Sequence, residues 1–257
     1  NIFNNLKNFT DALNMHFSEN GLYVQGVDKT HCCLFEFKIN HSWFDVYQFD
    51  KTADASKIGI STAILHKVLK SRSDSQAINI NYSGDPDKLS IHFSNCAKAT
   101  NKTNFNKNVD MPLIDIDETT LSIPPTDYDA EITIGSSMMR EIVEELAVFN
   151  DKLEITLNEE IINFKSSGTE GEMAITIKND DIIEYAIIEN GNLKQSYSLK
   201  FFKLMTGFNK LSNDVKLGFS EGLPMLMLYS LDIDNSDSAD SSELNYIKFH
   251  LAPYMDD

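Results

Sequence analysis

The side chains in this sequence with the clearest chemical potential are cations gathered in two short stretches. Residues 61–72 carry Lys67, Lys70 and Arg72, and residues 198–211 carry Lys200, Lys203 and Lys210; neither stretch contains a carboxylate. Ammonium and guanidinium groups presented together bind phosphate. The rest of the chain runs the other way, with 39 Asp and Glu against 22 Lys and Arg and a formal net charge of −17. Such a chain repels nucleic acid at long range, so any contact with it needs the positive charge concentrated on one surface. A solvated helix face also carries lysines; the separation of sign is what singles these stretches out.

Other chemistry finds less support. Asp110, Asp115, Asp117 and Glu118 are the right groups for Mg²⁺, but they stand in a stretch of linker composition and read as solubilising charge. His16, His31, His41, His66, His92 and His250 form no HExxH pattern, and there is no GxSxG or GxxxxGK[ST] motif. The sequence therefore nominates no catalytic residue, no metal site and no cofactor. Cys32, Cys33 and Cys96 are odd in number and lack a CxxC spacing, which argues against a disulfide framework or zinc. Adjacent Cys32 and Cys33 point to opposite sides of a strand, as small residues of a reduced intracellular protein. No apolar run of about 18 residues marks a membrane span, and the start has no signal-peptide pattern. The first residue is Asn1 rather than Met, so a native N-terminus is expected to be missing.

Four helices are expected to position the cations. Ile2, Leu6, Phe9 and Leu13 repeat at helical spacing, with Lys7 among them. Ile64, Leu65, Val68 and Leu69 form an apolar face behind a Ser61 cap, which turns Lys67 and Lys70 outward. Met139, Ile142, Val143 and Leu146 follow Ser136, and there Arg140 is accompanied by Glu141, Glu144 and Glu145. Phe201, Phe202, Met205 and Phe208 follow Ser198, with Gly207 weakening the end of that helix. Short β-rich runs, including 77–82, 88–93 and 215–219, lie between them, so each half reads as α+β. Residues 17–37 and 155–177 share a plan, with Leu22 and Val24 matched by Ile162 and Phe164. The offset of about 140 residues points to a duplicated domain rather than a solenoid. Residues 115–129 are acidic, contain Pro124 and Pro125, and read as a stiffened linker. On those residues alone, Leu121 and Ile123 serve to pin the strap to the body. Residues 232–243, DIDNSDSADSSE, read as a solvated hairpin loop.

Several local matches occur in order along the chain: LKNFTDALNMHFSENG at 6–21, LYVQGVDKTH at 22–31 with its Asp-x-x-His pattern, KVLK at 67–70, PLIDIDETTLSIP at 112–124, and LAP at 251–253 before an acidic end. In this order the sequence resembles the proliferating cell nuclear antigen family of DNA sliding clamps over nearly its whole length. The resemblance implies the sliding-clamp α+β fold, with helices on the inner face and antiparallel sheets outside. It implies an N-terminal domain at 1–114, a connector at 115–128 and a C-terminal domain at 129–257. It implies a non-enzymatic polymerase processivity factor, three copies closing into a ring around double-stranded DNA without reading its sequence. Lys7, Lys67, Lys70, Arg72, Arg140, Lys200, Lys203 and Lys210 would then face DNA. Strand edges at Lys107, Val109, Met111 and Leu113 and at Met173, Ile175 and Ile177 would pair between subunits, with Pro112 at a strand end because it lacks a ladder donor. DNA polymerase, a clamp loader and other clients would dock a short peptide, one 3₁₀ turn with an aliphatic and two aromatic plugs. Its pocket would be Val27, His31, Leu121, Ile123, Pro224 and His250, with Ala252 and Pro253 holding the peptide backbone; this reverses the reading of Leu121 and Ile123.

The sequence also departs from the family pattern. His250 stands where a tyrosine is usual, Glu141 and Glu144 stand where bases are usual, the 232–243 loop is longer, and the family's opening strand has no counterpart before Asn1. The Asn- and Lys-using divergence is that of a virus or protist, with a nuclear location or, for a virus, a cytoplasmic replication compartment. Two other functions stay open: a clamp-related subunit of a heterotrimer or a binding protein that does not encircle DNA, and a metal-dependent hydrolase using Asp115 and Asp117. Failure to form a homotrimer marks the first, and loss of a measured activity on substituting the two aspartates marks the second.

Overall fold

The computed structural model describes residues 2–50, 57–83, 87–95, 105–117, 119–232 and 245–254. Asn1, Cys96, Glu118 and residues 233–243 of the acidic loop lie outside the described residues. In chain order the elements of the first part are α1 (Ile2–Leu6), β1 (Ala12–Ser18), β2 (Gly21–Val27), β3 (Cys33–Asn40), β4 (Lys57–Ser61), α2 (Thr62–Lys70), β5 (Gln76–Asn81), β6 (Lys88–Asn95) and β7 (Lys107–Pro112). They continue as β8 (Ala130–Gly135), α3 (Ser136–Leu146), β9 (Lys152–Asn158), β10 (Ile161–Gly168), β11 (Gly171–Lys178) and β12 (Glu184–Ile187). The last are β13 (Asn192–Ser198), α4 (Leu199–Met205), β14 (Asp214–Phe219), β15 (Met225–Ser230) and β16 (Tyr246–Leu251). Their mutual contacts gather residues 2–26 and 41–120 into one compact unit and residues 27–40 and 121–257 into another.

In the unit of residues 2–26 and 41–120, β2, β1 and β4 form one antiparallel ladder and β5, β6 and β7 a second. Alternation fixes which face is buried: Leu89, Ile91 and Phe93 of β6 lie at 1% exposure or less, and Ser90 and His92 turn away. Helix α2 begins where Ser61, in extended backbone, accepts the Ile64 N–H on its Oγ at 3.4 Å. Its buried side is set by Thr62 and Leu65, which leaves Ile64 38% exposed rather than in the face expected for it. Helix α1 is also shorter than its apolar spacing suggests. It stops at Leu6, and Leu13 belongs to β1. Thr62 accounts for the break: its N–H bonds to Asp11 O at 3.0 Å and its hydroxyl to Thr10 O at 2.7 Å, so residues 10–11 cannot continue a helix. Leu6, Phe9 and Leu13 are buried all the same, because burial selects apolar side chains in either geometry.

The strap after β7 is held down at its start. Ile114 N donates to Gly59 O at 2.9 Å, and Asn14 Nδ2 donates to Ile116 O at 3.3 Å. A Cβ on Gly59 would lie 2.0 Å from Ile114 O, so only glycine lets the strap lie against β4.

In the unit of residues 27–40 and 121–257, one antiparallel sheet runs β12-β8-β14-β15-β16-β3 and a second runs β11-β10-β9-β13. The far end of the strap is anchored here. The Tyr128 ring lies against β14 where Gly218 has no side chain, and Asp129 N donates to Ser220 Oγ at 2.9 Å. Helix α3 buries Met139, Ile142, Val143 and Leu146, the apolar face read from the sequence, but its cap is Gly135 and Ser136 is its first residue. Helix α4 buries Phe201, Phe202 and Met205; Ser198 stands at its N-cap position without a side-chain capping bond, and Asp151 accepts the first N–H groups instead. The Asp151 carbonyl accepts Leu199 N and its Oδ1 accepts Lys200 N, both at 2.7 Å, and Ser198 Oγ donates to Oδ2 at 3.1 Å. Helix α4 ends at Met205, and residues 206–208 tighten into a 3₁₀ turn around Gly207. Lys210 therefore lies beyond the helix that was expected to carry it.

The hairpin β9–β10 pairs Leu157 with Ile162, and β1–β2 pairs Phe17 with Leu22. The two registers match at the offset of about 140 residues seen in the sequence.

Candidate nucleic-acid interface and docking surfaces

Each unit carries one pair of packed helices, α1 on α2 and α3 on α4. Lys67 and Lys70 are exposed on α2, and Lys7 is half-buried just past α1. His66 of α2 is half-buried, and its pKa is held below its ordinary value by desolvation first and then by the positive charges of Lys7 and Lys70. Arg72 lies past the end of α2 and braces the turn into β5, its Nε donating to Gln76 O at 2.7 Å. In the other unit Lys200 and Lys203 are exposed on α4 and Lys210 is exposed beyond it. Arg140 is committed elsewhere: its guanidinium pairs with Glu144 at 2.8 Å and donates to Asn209 Oδ1 at 3.2 Å. Glu141, Glu144 and Glu145 are exposed on the same helix, so α3 presents net negative charge beside the cations of α4.

The residues expected to receive a client peptide all belong to one unit. On β16, Tyr246, Lys248 and His250 alternate outward while Ile247, Phe249 and Leu251 are buried. His250 stands opposite Leu34 of β3 and Leu226 of β15. Its Nε2 is buried without a hydrogen-bond partner. Desolvation lowers its pKa, Glu36 opposes the shift and Lys248 adds to it. Beyond β16, Ala252 is exposed with its N–H on Cys32 O at 2.9 Å, and Pro253 is half-buried. Leu121 is 55% exposed, Ile123 half-buried, Pro224 exposed and Val27 half-buried.

The turn between β2 and β3 owes its shape to a residue the sequence pattern only hinted at. The Asp28 carboxylate accepts from Thr30 N and Thr30 Oγ1 at 2.6 Å, from Cys32 N at 2.8 Å and from Cys33 N at 2.7 Å. This lets His31 sit at φ +58°, exposed at the tip. Asp-x-Thr was the available signal, as an Asx turn; the bonds from Cys32 and Cys33 were not legible. Cys32 is exposed and Cys33 buried, on opposite sides of the chain.

Desolvation pushes the Asp28 pKa up, but the hydrogen bonds from Thr30, Cys33 and Cys32 outweigh it and leave the carboxyl below its ordinary range. A depressed carboxyl pKa stabilises the fold above its unfolded value of about 3.9, and that stability is lost as pH falls through the lower folded value. Asp28→Asn should therefore be less stable at neutral pH by about 1–3 kcal/mol. Its stability should also lack the part of the wild-type decline below about pH 4 that Asp28 causes. Chemical denaturation at pH 7 and pH 3 checks this, and equal losses at both would refute the assignment.

Two sheet edges complete the set. Strand β7 is the last of its ladder, and β11 the last of its own. Val109 and Met111 stand opposite Ile91 and Leu89, and Ile175 and Ile177 opposite Phe164 and Ile162. Each edge thus extends the buried face of its sheet; Val109, Leu113, Met173 and Ile175 are half-buried, and Met111 and Ile177 are buried. Pro112 is the last residue of β7. Lys107 is turned to its own unit: its ammonium bonds to Ser71 O at the end of α2 and lies 5.8 Å over the Phe93 ring. Asp110 is taken by Ser90 at 2.7 Å and by Lys88 at 3.5 Å, while Asp115 and Asp117 are exposed.

Comparison with known proteins identifies the family of the chain. Residues 1–120 match the family model described as proliferating cell nuclear antigen, N-terminal domain, and residues 122–238 the one for its C-terminal domain. The chain is 28% identical to proliferating cell nuclear antigen 1 of Plasmodium falciparum, over 100% of this chain and 93% of that one. It is 27% identical to proliferating cell nuclear antigen of Dictyostelium discoideum, over 99% and 95%, and 26% identical to that of Chaetomium thermophilum, over 98% and 92%. The chain belongs to the proliferating cell nuclear antigen family, as a divergent member. It is a DNA sliding clamp that acts as a polymerase processivity factor.

Proposed function

We propose that three copies of this chain close head to tail into a ring that encircles duplex DNA, slides along it and tethers polymerase and other clients. The observation that carries the reading is the sorting of charge. Exposed Lys67, Lys70, Lys200 and Lys203 sit on helices free of acid, in a chain with a net charge of −17. A phosphate-only grip of this kind is weak, with Kd on the order of 10⁻⁴–10⁻⁶ M at physiological salt. A ring makes weakness useful: topology supplies retention, and the absence of base contacts leaves the ring free to move. The open edges β7 and β11 fit a heterologous interface that closes by rotation. The half-exposed apolar groups Leu121 and Ile123, together with Val27, His31, Pro224, His250, Ala252 and Pro253, fit a surface for client peptides. In this reading the protein catalyses nothing, is built of domains at 1–114 and 129–257 joined by 115–128, and works in the nucleus.

The test is topological. Protein loaded by a clamp loader onto closed circular duplex should co-elute with it through a sizing column at 0.3 M salt, and should leave when one restriction cut makes ends. Retention that is the same on cut and uncut DNA would show grip rather than encirclement.

A further inference from the structure

Among the described ionisable groups near α1 and α2, His66 stands apart. It lies one helical turn before Lys70 on α2 and feels the positive charges of Lys70 and of Lys7, which directly follows α1, the helix packed on α2. Residues i and i+4 share a helix face, so His66 and Lys70 point the same way. Neither α1 nor α2 contains an acidic residue, so no carboxylate on either helix compensates the cluster. Lys67 adds a further exposed cation on α2. Helix α2 also packs on β1, β4 and β7. The charged or titratable residues of those strands are His16, Lys57, Lys107 and Asp110. His16 and Lys57 are cross-strand partners, Lys107 is held by Ser71 O, and Asp110 is held by Ser90 and Lys88.

We infer that His66 is a further phosphate contact of the DNA-facing surface, and that DNA binding takes up a proton on it. The inference rests on the reading of α1 and α2 as DNA-facing. In the free chain, burial and two ammonium groups disfavour a third positive charge, so the imidazole stays neutral near pH 7. A phosphate brought to Lys7 and Lys70 cancels that repulsion and offers the imidazolium N–H an acceptor. The proton comes from solvent and no covalent bond changes. Because the coupling is reciprocal, lowering the pH must strengthen DNA binding by the same free energy by which DNA raises the histidine pKa. Each unit of that pKa change is roughly a tenfold gain in affinity per engaged subunit. The extra contact also steepens the salt dependence, by about 0.9 in the slope of log K against log salt.

The experiment uses the full chain in its assembled form and a fluorescent linear duplex, titrated from 50 to 200 mM salt at pH 7.5 and pH 5.8. Wild type should bind more tightly at pH 5.8, with the steeper slope. Calorimetry in two buffers of different ionisation enthalpy should record proton uptake on binding. His66→Gln should abolish the gain between the two pH values and the slope change, and His66→Lys should hold the tight, steep behaviour at both. Equal pH dependence in wild type and His66→Gln, from His16, His31 or another histidine, would overturn the inference. The reversal Lys67→Glu with Lys70→Glu serves as the separate control: if it leaves binding unchanged, the DNA-facing reading itself fails, whatever His66 does. Matching thermal melts for all the variants show that folding is not the cause.

Discussion

Replacing Lys67, Lys70 and Lys203 together by glutamate is expected to abolish processive synthesis while leaving a folded protein. All three are exposed, two on α2 and one on α4, and substitutions at such positions usually change stability by no more than about 0.5 kcal/mol. Their expected effect on DNA is much larger. Each lysine–phosphate contact contributes about 0.9 to the salt slope. Losing three contacts per engaged subunit should flatten that slope by roughly 3 and cost about two decades of affinity at 0.15 M salt, before the repulsion of the new carboxylates is counted. Product length in primer extension and the salt dependence of duplex binding are the measurements. Arg140→Glu is the internal contrast. Its guanidinium is already held by Glu144 and Asn209, so its reversal should move the slope far less. A triple variant with the wild-type slope and product length would remove the basis for the DNA-facing assignment.

What the sequence disclosed and what it hid divide along a physical line. The α+β class, the alternating strands and the burial of Met139, Ile142, Val143, Leu146, Phe202 and Met205 follow from spacing alone, because periodic burial is written locally. Helix ends were less legible, since they are set by long-range partners. Thr62 closes off α1 through residues 10–11, Asp151 caps α4 from 47 or more residues away, and a 3₁₀ turn at Gly207 leaves Lys210 off the helix. The cationic clusters were visible as composition, but which cations are free to meet phosphate was not. That depends on Arg72 bracing its turn, on Arg140 lying between Glu144 and Asn209, and on Lys107 reaching back to Ser71. Pairings across 36 or 69 positions leave no mark on a local window. His66 shows the same limit from the other side. Its spacing from Lys70 was readable, but the approach of Lys7 needed the packing of α1 on α2.

The largest change in assembly should come from the two edges. Wild-type protein is expected at three times the 29.0 kDa of one chain, about 87 kDa, in solution light scattering. Val109→Glu and Ile175→Glu should each shift the mass toward 29.0 kDa. Val109 extends the face that holds Ile91, and Ile175 the face that holds Phe164. When β7 of one copy meets β11 of the next, these half-buried groups lose their remaining contact with water, worth about 1–2 kcal/mol each. A carboxylate placed there is instead desolvated without a partner, at a cost of several kcal/mol. All copies are identical, so one substitution weakens every interface of the ring at once, and closure multiplies the loss. Lys107→Ala separates edge pairing from local support. Lys107 bonds to the end of α2 and lies over Phe93, so its loss should lower the melting temperature more than the mass. A wild-type protein that stays at the single-chain mass at micromolar concentration, or a Val109→Glu variant that stays trimeric, would mean that these edges do not join subunits.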